Sequence, residues 1–322
     1  MFTCRFLKLR KPEIPAMNLV RRNAVIFFIL QAIGVAGWWI ALTFNHEARA
    51  LFAMGPDPTP LLAFRIPDMV LMIGGSVAVA ILIAVRHSLV IPAIWFVTGA
   101  TAFATIYCLS FALITDTGWL GFAIMAGTTI LSGNFAIGLS PALSSEMFRT
   151  SRPGNTRWIM FKTFAQIVVV WTLILIVIPL VILEIEAKIP ISRFEFTLQQ
   201  WLSAILFLLL SSIGVSAAIE MSRIGRGTPL PVDSASVMVV SKIYGYVRNP
   251  MAISGIGQGI AVGLFWGSPS VIVYSLLGAA IWQFIYRRLE EDDLENRFGA
   301  AYRDYRENVR CWLPRLRPYK LK

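Results

Sequence analysis

The chain is 322 residues long, 57% hydrophobic and 15% charged, with a formal net charge of +11 and a positive mean hydropathy. A soluble domain must cover its surface with polar groups; this composition excludes that and makes the bilayer the expected solvent. In a soluble protein the excess of positive charge would suggest nucleic acid, but here its placement follows membrane topology, and no nucleic-acid partner is expected.

A membrane-crossing helix needs roughly 20 apolar residues, and candidates lie near 24–44, 68–85, 89–113, 118–139, 164–183, 198–219, 251–266 and 269–286, about eight in all. The first follows a basic stretch, as a signal peptide would. Its apolar run is too long for one and no small-residue cleavage site follows cleanly, so it is expected to stay in the membrane. With the N-terminus inside, 25 of the 29 Lys and Arg residues fall on the inner segments 1–22, 86, 149–162, 223–248 and 287–322. Only Arg49, Arg65, Lys188 and Arg193 fall outside. Both termini are therefore predicted to be cytoplasmic in a multi-pass integral membrane protein, an all-α helical bundle surrounded by membrane lipids.

Residues 1–197, with about five of these helices, carry few intramembrane ionisable groups and no chemical motif, and read as a scaffold that also forms an acceptor cavity. Asn134 and Gln166 are polar enough to line a pocket, although such residues more often hydrogen-bond a neighbouring helix. Pro141 and Arg152-Pro153-Gly154-Asn155 punctuate a loop, the best boundary between scaffold and remainder. Cys4, Cys108 and Cys311 have no metal or disulfide spacing, and His46 and His87 lie far apart, so no metal is expected.

Residues 198–322 read differently. A long apolar span leads into Gly225-Arg226-Gly227-Thr228-Pro229-Leu230-Pro231, a loop without side chains suited to chemistry that turns the chain towards two shorter apolar arms. Trp266-Gly267-Ser268-Pro269 between the arms favours a tight turn, so 251–266 and 269–286 should form a helical hairpin. At 1.5 Å per residue each arm is on the order of 25 Å long, which brings Arg248 and Glu290 together at one face. Gly255, Gly257, Gly259 and Gly263 recur along the entering arm; such residues let a ligand or another helix approach the backbone, and Gly255 and Gly257 are the better candidates for a ligand. Leu294, Phe298, Tyr302, Tyr305 and Val309 mark the apolar face of an amphipathic helix, which packs on the bundle or headgroups and would serve as a lid.

The ordered set Tyr244-Gly245-Tyr246-Val247-Arg248-Asn249-Pro250-Met251, hairpin, Glu290-Glu291-Asp292-Asp293-Leu294, Phe298-Gly299-Ala300-Ala301-Tyr302 with Tyr305, and a closing Val309-Arg310-Cys311-Trp312-Leu313-Pro314 resembles the isoprenylcysteine carboxyl methyltransferase family within the phospholipid methyltransferase superfamily. The match covers about 100 residues and makes 198–322 the expected methyltransferase core. The resemblance implies S-adenosylmethionine as cofactor, held at the cytoplasmic mouth of the hairpin by Val239, Tyr244, Asn249, Pro250, Met251, Ala252 and Glu290; Arg248, Gly255, Gly257 and Glu291 are expected to bind it with them. It also implies a lipid-like or prenylated acceptor, an isoprenylcysteine carboxylate first. Asn249 stands where many members have His, Ala252 where Tyr is common, and Tyr286 where eukaryotic members have an acceptor-binding Arg.

The same residues make chemical sense by themselves. S-adenosylmethionine presents an ammonium and a carboxylate, so a pocket for it benefits from one carboxylate and one Arg, the roles given to Glu290 and Arg248 as the catalytic pair. Their structural alternative is a salt bridge tying the hairpin ends together. Arg287 is the candidate to replace the missing acceptor Arg, with membrane anchoring by Arg287 and Arg288 as its alternative. A nicotinamide-dependent reductase of the sterol type and a non-catalytic lipid-binding family member are the rival functions. Glu290-Glu291 speaks against the first; the changes at Ala252 and Tyr286 would permit the second.

Overall fold

The computed structural model describes residues 15–151, 155–230 and 233–320. Residues 1–14 with Cys4, Arg152-Pro153-Gly154 and Pro231 lie outside the described residues. The protein is all-helical; among the described residues the only strand-like pairing is an isolated bridge between Thr150 and Ser234.

Six long apolar helices come first: α1 (Met17–Phe44), α2 (Thr59–Ala84), α3 (Val90–Thr115), α4 (Trp119–Leu139), α5 (Thr156–Glu186) and α6 (Gln199–Arg223). The hairpin follows as α7 (Pro250–Trp266) and α8 (Pro269–Asn308). Seven of these are long and apolar enough to span a membrane; α7, at 17 residues, is the shorter exception. This is the polytopic bundle that the apolar runs predict. The return arm differs from its predicted end at 286, because α8 runs on as one helix of 40 residues through the charged stretch and breaks only at Gly299, where φ is +57°.

The hairpin follows from its punctuation. Asn249 caps α7 by accepting a hydrogen bond from the Ala252 amide, and Pro250 takes the first turn, where a missing N–H costs nothing. Gly267 ends the arm with φ +62°, and a Cβ there would lie 2.1 Å from the Phe194 carbonyl oxygen, so the turn demands glycine on two grounds. Ser268 then caps α8 through the Val271 amide and donates to the buried Glu186 carboxylate at 2.6 Å. Arg193 pairs with that carboxylate at 3.2 Å, so the hairpin tip is clamped to the end of α5.

Packing groups α1–α4 together and α5–α8 together, with α5 against α6, α7 and α8. The sequence division at 197/198 places α5 with the N-terminal helices, whereas its packing is against α6, α7 and α8. The groups meet where α8 passes α1 and α4, through a core that includes Val20, Phe28, Ile94, Phe135, Leu139, Ile285 and Leu289. Lipid tails are as apolar as these side chains, so the joint depends on close fit rather than on water exclusion. A Cβ on Gly138 would lie 2.6 Å from Ile285, which shows how tight that fit is.

Candidate functional site

Where α7 begins and α8 becomes charged, a cavity of about 600 Å³ opens and continues between α5, α7 and α8. Its mouth is polar, with Tyr244, Arg248, Asn249, Glu290, Asp293 and Arg297 in the lining. Its depth is apolar, lined by Ile167, Trp171, Ile174, Gly255, Tyr274 and Gly278. The glycine-rich loop contributes a wall as well as a turn. A Cβ on Gly227 would lie 2.6 Å from the Ala235 backbone, so the loop folds tightly on itself and sets Thr228, Pro229 and Val237–Val239 along the cavity.

The two adjacent glutamates play different parts. Arg248 and Glu290 do come to one face, but the ion pair that closes the hairpin joins Arg248 to Glu291, at 2.8 Å. Glu291 also takes Arg287 at 2.9 Å and Arg288 at 3.8 Å. The salt bridge that stood as the alternative for Arg248 and Glu290 forms one residue along, because successive helical side chains diverge by about 100° and Glu291 faces the guanidinium. Glu290 is left facing the cavity with Asn249 Nδ2 at 3.5 Å from Oε2. Arg248 spends Nη1 on the Arg306 carbonyl, at 3.0 Å. Tyr244 packs with Val239 and Ala217, and burial pushes its phenol well above the usual range, so it presents a neutral hydroxyl.

The amphipathic stretch of α8 packs inward. Tyr302, Tyr305 and Val309 form a buried cluster with Met238, Val240 and Tyr319, and the Tyr305 hydroxyl donates to the Tyr244 carbonyl at 2.7 Å. The tail after it runs back beside residues 245–248, with Arg248 N donating to the Arg310 carbonyl and Tyr319 N to the Gly245 carbonyl. Trp312 meets Trp282 edge to face and donates to Gln283. The site is thus roofed by chain that closes on the loop before α7.

Of the residues singled out in the sequence, Val239, Tyr244, Arg248, Asn249, Met251, Ala252, Gly255, Glu290 and Glu291 all line this one cavity. Pro250 is buried in the first turn of α7 and does not line it. Gly257 faces the other way: a Cβ there would lie 2.7 Å from Leu210 of α6, because a shift of two residues turns to the opposite face of a helix. Arg287 is outside the lining too, held by Glu291 at 2.9 Å and by Gln283 at 3.1 Å. Tyr286 reaches across to α4 and donates to Asn134 at 2.6 Å, the helix-bridging role expected for Asn134. Gln166 does line the cavity, and its Oε1 is buried with no hydrogen-bond partner.

Asp293, Arg297 and Gly278 are lining residues that sequence reasoning missed. Asp293 and Arg297 follow Glu290 at helical spacing and pair with each other at 2.7 Å, a signal that counting along α8 would have found. Gly278 follows from hairpin register. A Cβ on Gly263 would meet Ile272 and one on Gly259 would meet Ser275, so the next small pair across the arms is Gly255 and Gly278, each with open space at the Cβ position.

Residues 198–301 match the phospholipid methyltransferase family. A methanethiol S-methyltransferase from Pseudomonas deceptionensis is 34% identical over 107 residues, 32% of this chain and 36% of that protein. The chain thus spans about a third of the length of the curated relative it matches. No solved structure matches it. Among the described residues no group of three or more His, Cys, Asp and Glu side chains is arranged to hold a metal.

Proposed function

We propose that this integral membrane protein, whose residues 198–301 carry the phospholipid methyltransferase pattern, transfers a methyl group from S-adenosylmethionine to a small or lipid-like apolar thiol. The observation that carries the reading is the division of one cavity into a polar mouth at Glu290 and an apolar depth between α5, α7 and α8.

The residues fit the cofactor. Glu290 is a carboxylate with one long amide contact and no cation at hydrogen-bond distance among the described residues, in a cavity whose other mouth carboxylates, Glu291 and Asp293, are already ion-paired. It would hold the ammonium or ribose hydroxyls. Tyr244, Phe298 and Tyr302 offer aromatic faces, and Asn249 orients Glu290. Bound there, S-adenosylmethionine would supply an electrophilic methyl group on a positively charged sulfur. The chain's task is then positioning: the acceptor's sulfur must lie in line with the methyl carbon at about 3–3.5 Å, and the roof over the mouth excludes competing water. No side chain need act as base if the thiol arrives ionised, since the bound cofactor would supply the methyl group and leave as the neutral thioether. Topologically, both termini and the polar mouth are assigned to the cytoplasmic side.

A prenylcysteine carboxylate is the second acceptor reading. Against it stands the absence, among the described residues, of any Lys or Arg from the apolar depth: the lining cations, Arg248 and Arg297, lie at the mouth with Glu291 and Asp293, and Tyr286 and Arg287 are hydrogen-bonded elsewhere. The name of the relative also points to a thiol.

Calorimetric titration of the detergent-purified protein with S-adenosylmethionine, with NADPH as comparator, tests the cofactor. Saturable binding of S-adenosylmethionine alone is expected; NADPH binding alone would establish the reductase reading, and binding of neither the non-catalytic one. Incubation with labelled cofactor and either an alkanethiol or a prenylcysteine then separates the acceptors, with thioether formation the expected product.

A further inference from the structure

A second cavity, of about 440 Å³, lies among α1–α4, and nothing in the methyl-transfer reading uses it. On α1 the joint with α8 involves Val20–Phe28, whereas this cavity is lined from Phe27 on to Trp38, so it extends from the joint towards the end of the bundle away from Glu290. Its volume is that of a small-molecule site.

Three features set it apart from a packing defect. Asp68 is 7% exposed and accepts one hydrogen bond, from the Trp39 indole at 3.0 Å, and no Lys or Arg is ion-paired to it among the described residues. An ionisable group inside a membrane bundle with no internal counter-charge is expensive unless something pairs with it. Gln31, 8% exposed, lines the same cavity with both its amide nitrogen and its amide oxygen unpartnered, and the Trp38 indole nitrogen is unpartnered too. Buried polar atoms without partners cost free energy that a ligand's polar group would recover. Four aromatic rings, Phe27, Trp38, Phe52 and Phe64, stand in a wall that is otherwise largely aliphatic. Aromatic faces around a carboxylate attract a cation that carries little water. Leu30, exposed on the outer surface of α1, also lines the cavity, which therefore opens sideways towards hydrocarbon.

We infer that this cavity binds an apolar monocation, an amine with a hydrocarbon body that enters from the bilayer, with its ammonium on Asp68 and Gln31 and its chain among the aromatic rings. The inference is independent of the methyltransferase reading.

The test uses the full chain in nanodiscs, titrated with octylammonium, octanol and octanoate, with binding to empty nanodiscs subtracted. Octylammonium should bind saturably and at least about tenfold more tightly than octanol, and octanoate should not bind. Asp68→Asn should weaken octylammonium by about tenfold or more while leaving octanol unchanged. Because Asp68→Asn removes a buried acceptor of Trp39 and could fail to fold, Gly121→Leu provides a second variant. Gly121 lines the cavity with nothing within 4 Å of its Cβ position, so Leu should fill the site and abolish binding. Equal affinity for octylammonium and octanol would overturn the cation site in favour of a neutral ligand. Undiminished octylammonium binding in either folded variant would overturn the location.

Discussion

The two cavities are built from opposite materials. In the larger one, charge is abundant and almost all of it is internally matched: Glu291 gathers three arginines, Asp293 takes Arg297, and only Glu290 faces the space with a single amide contact. In the smaller one, charge is scarce: one carboxylate, one amide and one indole nitrogen stand among aromatic and aliphatic walls. A site supported by a charged framework can place an unmatched group accurately, because every neighbour is held. A site built from isolated polar groups depends on its ligand for that order. The first kind leaves a motif in the sequence and the second does not.

The sharpest way to break this contrast is to remove the framework without touching the unmatched group. Glu291→Gln leaves three partly buried arginines around a neutral amide, and should destabilise the protein by about 3–5 kcal/mol. A thermal melt of the detergent-solubilised protein would register it, and an unchanged melting temperature would mean that Arg248 and Arg287 find other partners. Glu290→Gln should do the reverse. Losing a charged hydrogen bond to the ligand removes about 1.5–3 kcal/mol of binding, roughly 10- to 150-fold in the S-adenosylmethionine dissociation constant, with little change in melting. If Glu290→Gln melts early and binds normally, the two roles have been assigned in the wrong order.

The joint between the two regions is open to the same kind of test. Gly138→Val inserts atoms where even a Cβ would lie 2.6 Å from Ile285, and should cost about 1–3 kcal/mol through overpacking. Its signature would be a proteolytic cut in the loop after α4 that the parent chain resists. Tyr286→Phe, which strands Asn134 Oδ1, should cost about 1 kcal/mol at the same joint.

Much of α5–α8 was legible beforehand because its signals are local. Gly267 and Pro269 fix a turn, the turn fixes the register of two arms, and the register brings Arg248 to the glutamates. What failed to read was rotation about a helix axis. Which of Glu290 and Glu291 meets Arg248, and which of Gly255 and Gly257 faces the cavity, depend on a step of one or two residues along a helix that composition does not encode. The cavity in α1–α4 was illegible for another reason. Gln31, Trp38, Asp68 and Cys108 come from three helices with no shared spacing, and each by itself is an ordinary polar residue in an apolar run.

Asn249 tests whether cap and ligand site can be pulled apart, since one side chain serves both. Its oxygen accepts from the Ala252 amide and its nitrogen lies 3.5 Å from Glu290. Asn249→Ala should lose the cap, about 1 kcal/mol of stability, and the orienting contact together. Asn249→Ser restores a cap of similar strength but has no donor long enough to reach Glu290, so melting should recover while S-adenosylmethionine affinity stays weakened by about two- to threefold, the small loss suited to so long a hydrogen bond. Recovery of both would reduce Asn249 to a helix cap, and Glu290 would then hold its position through burial alone.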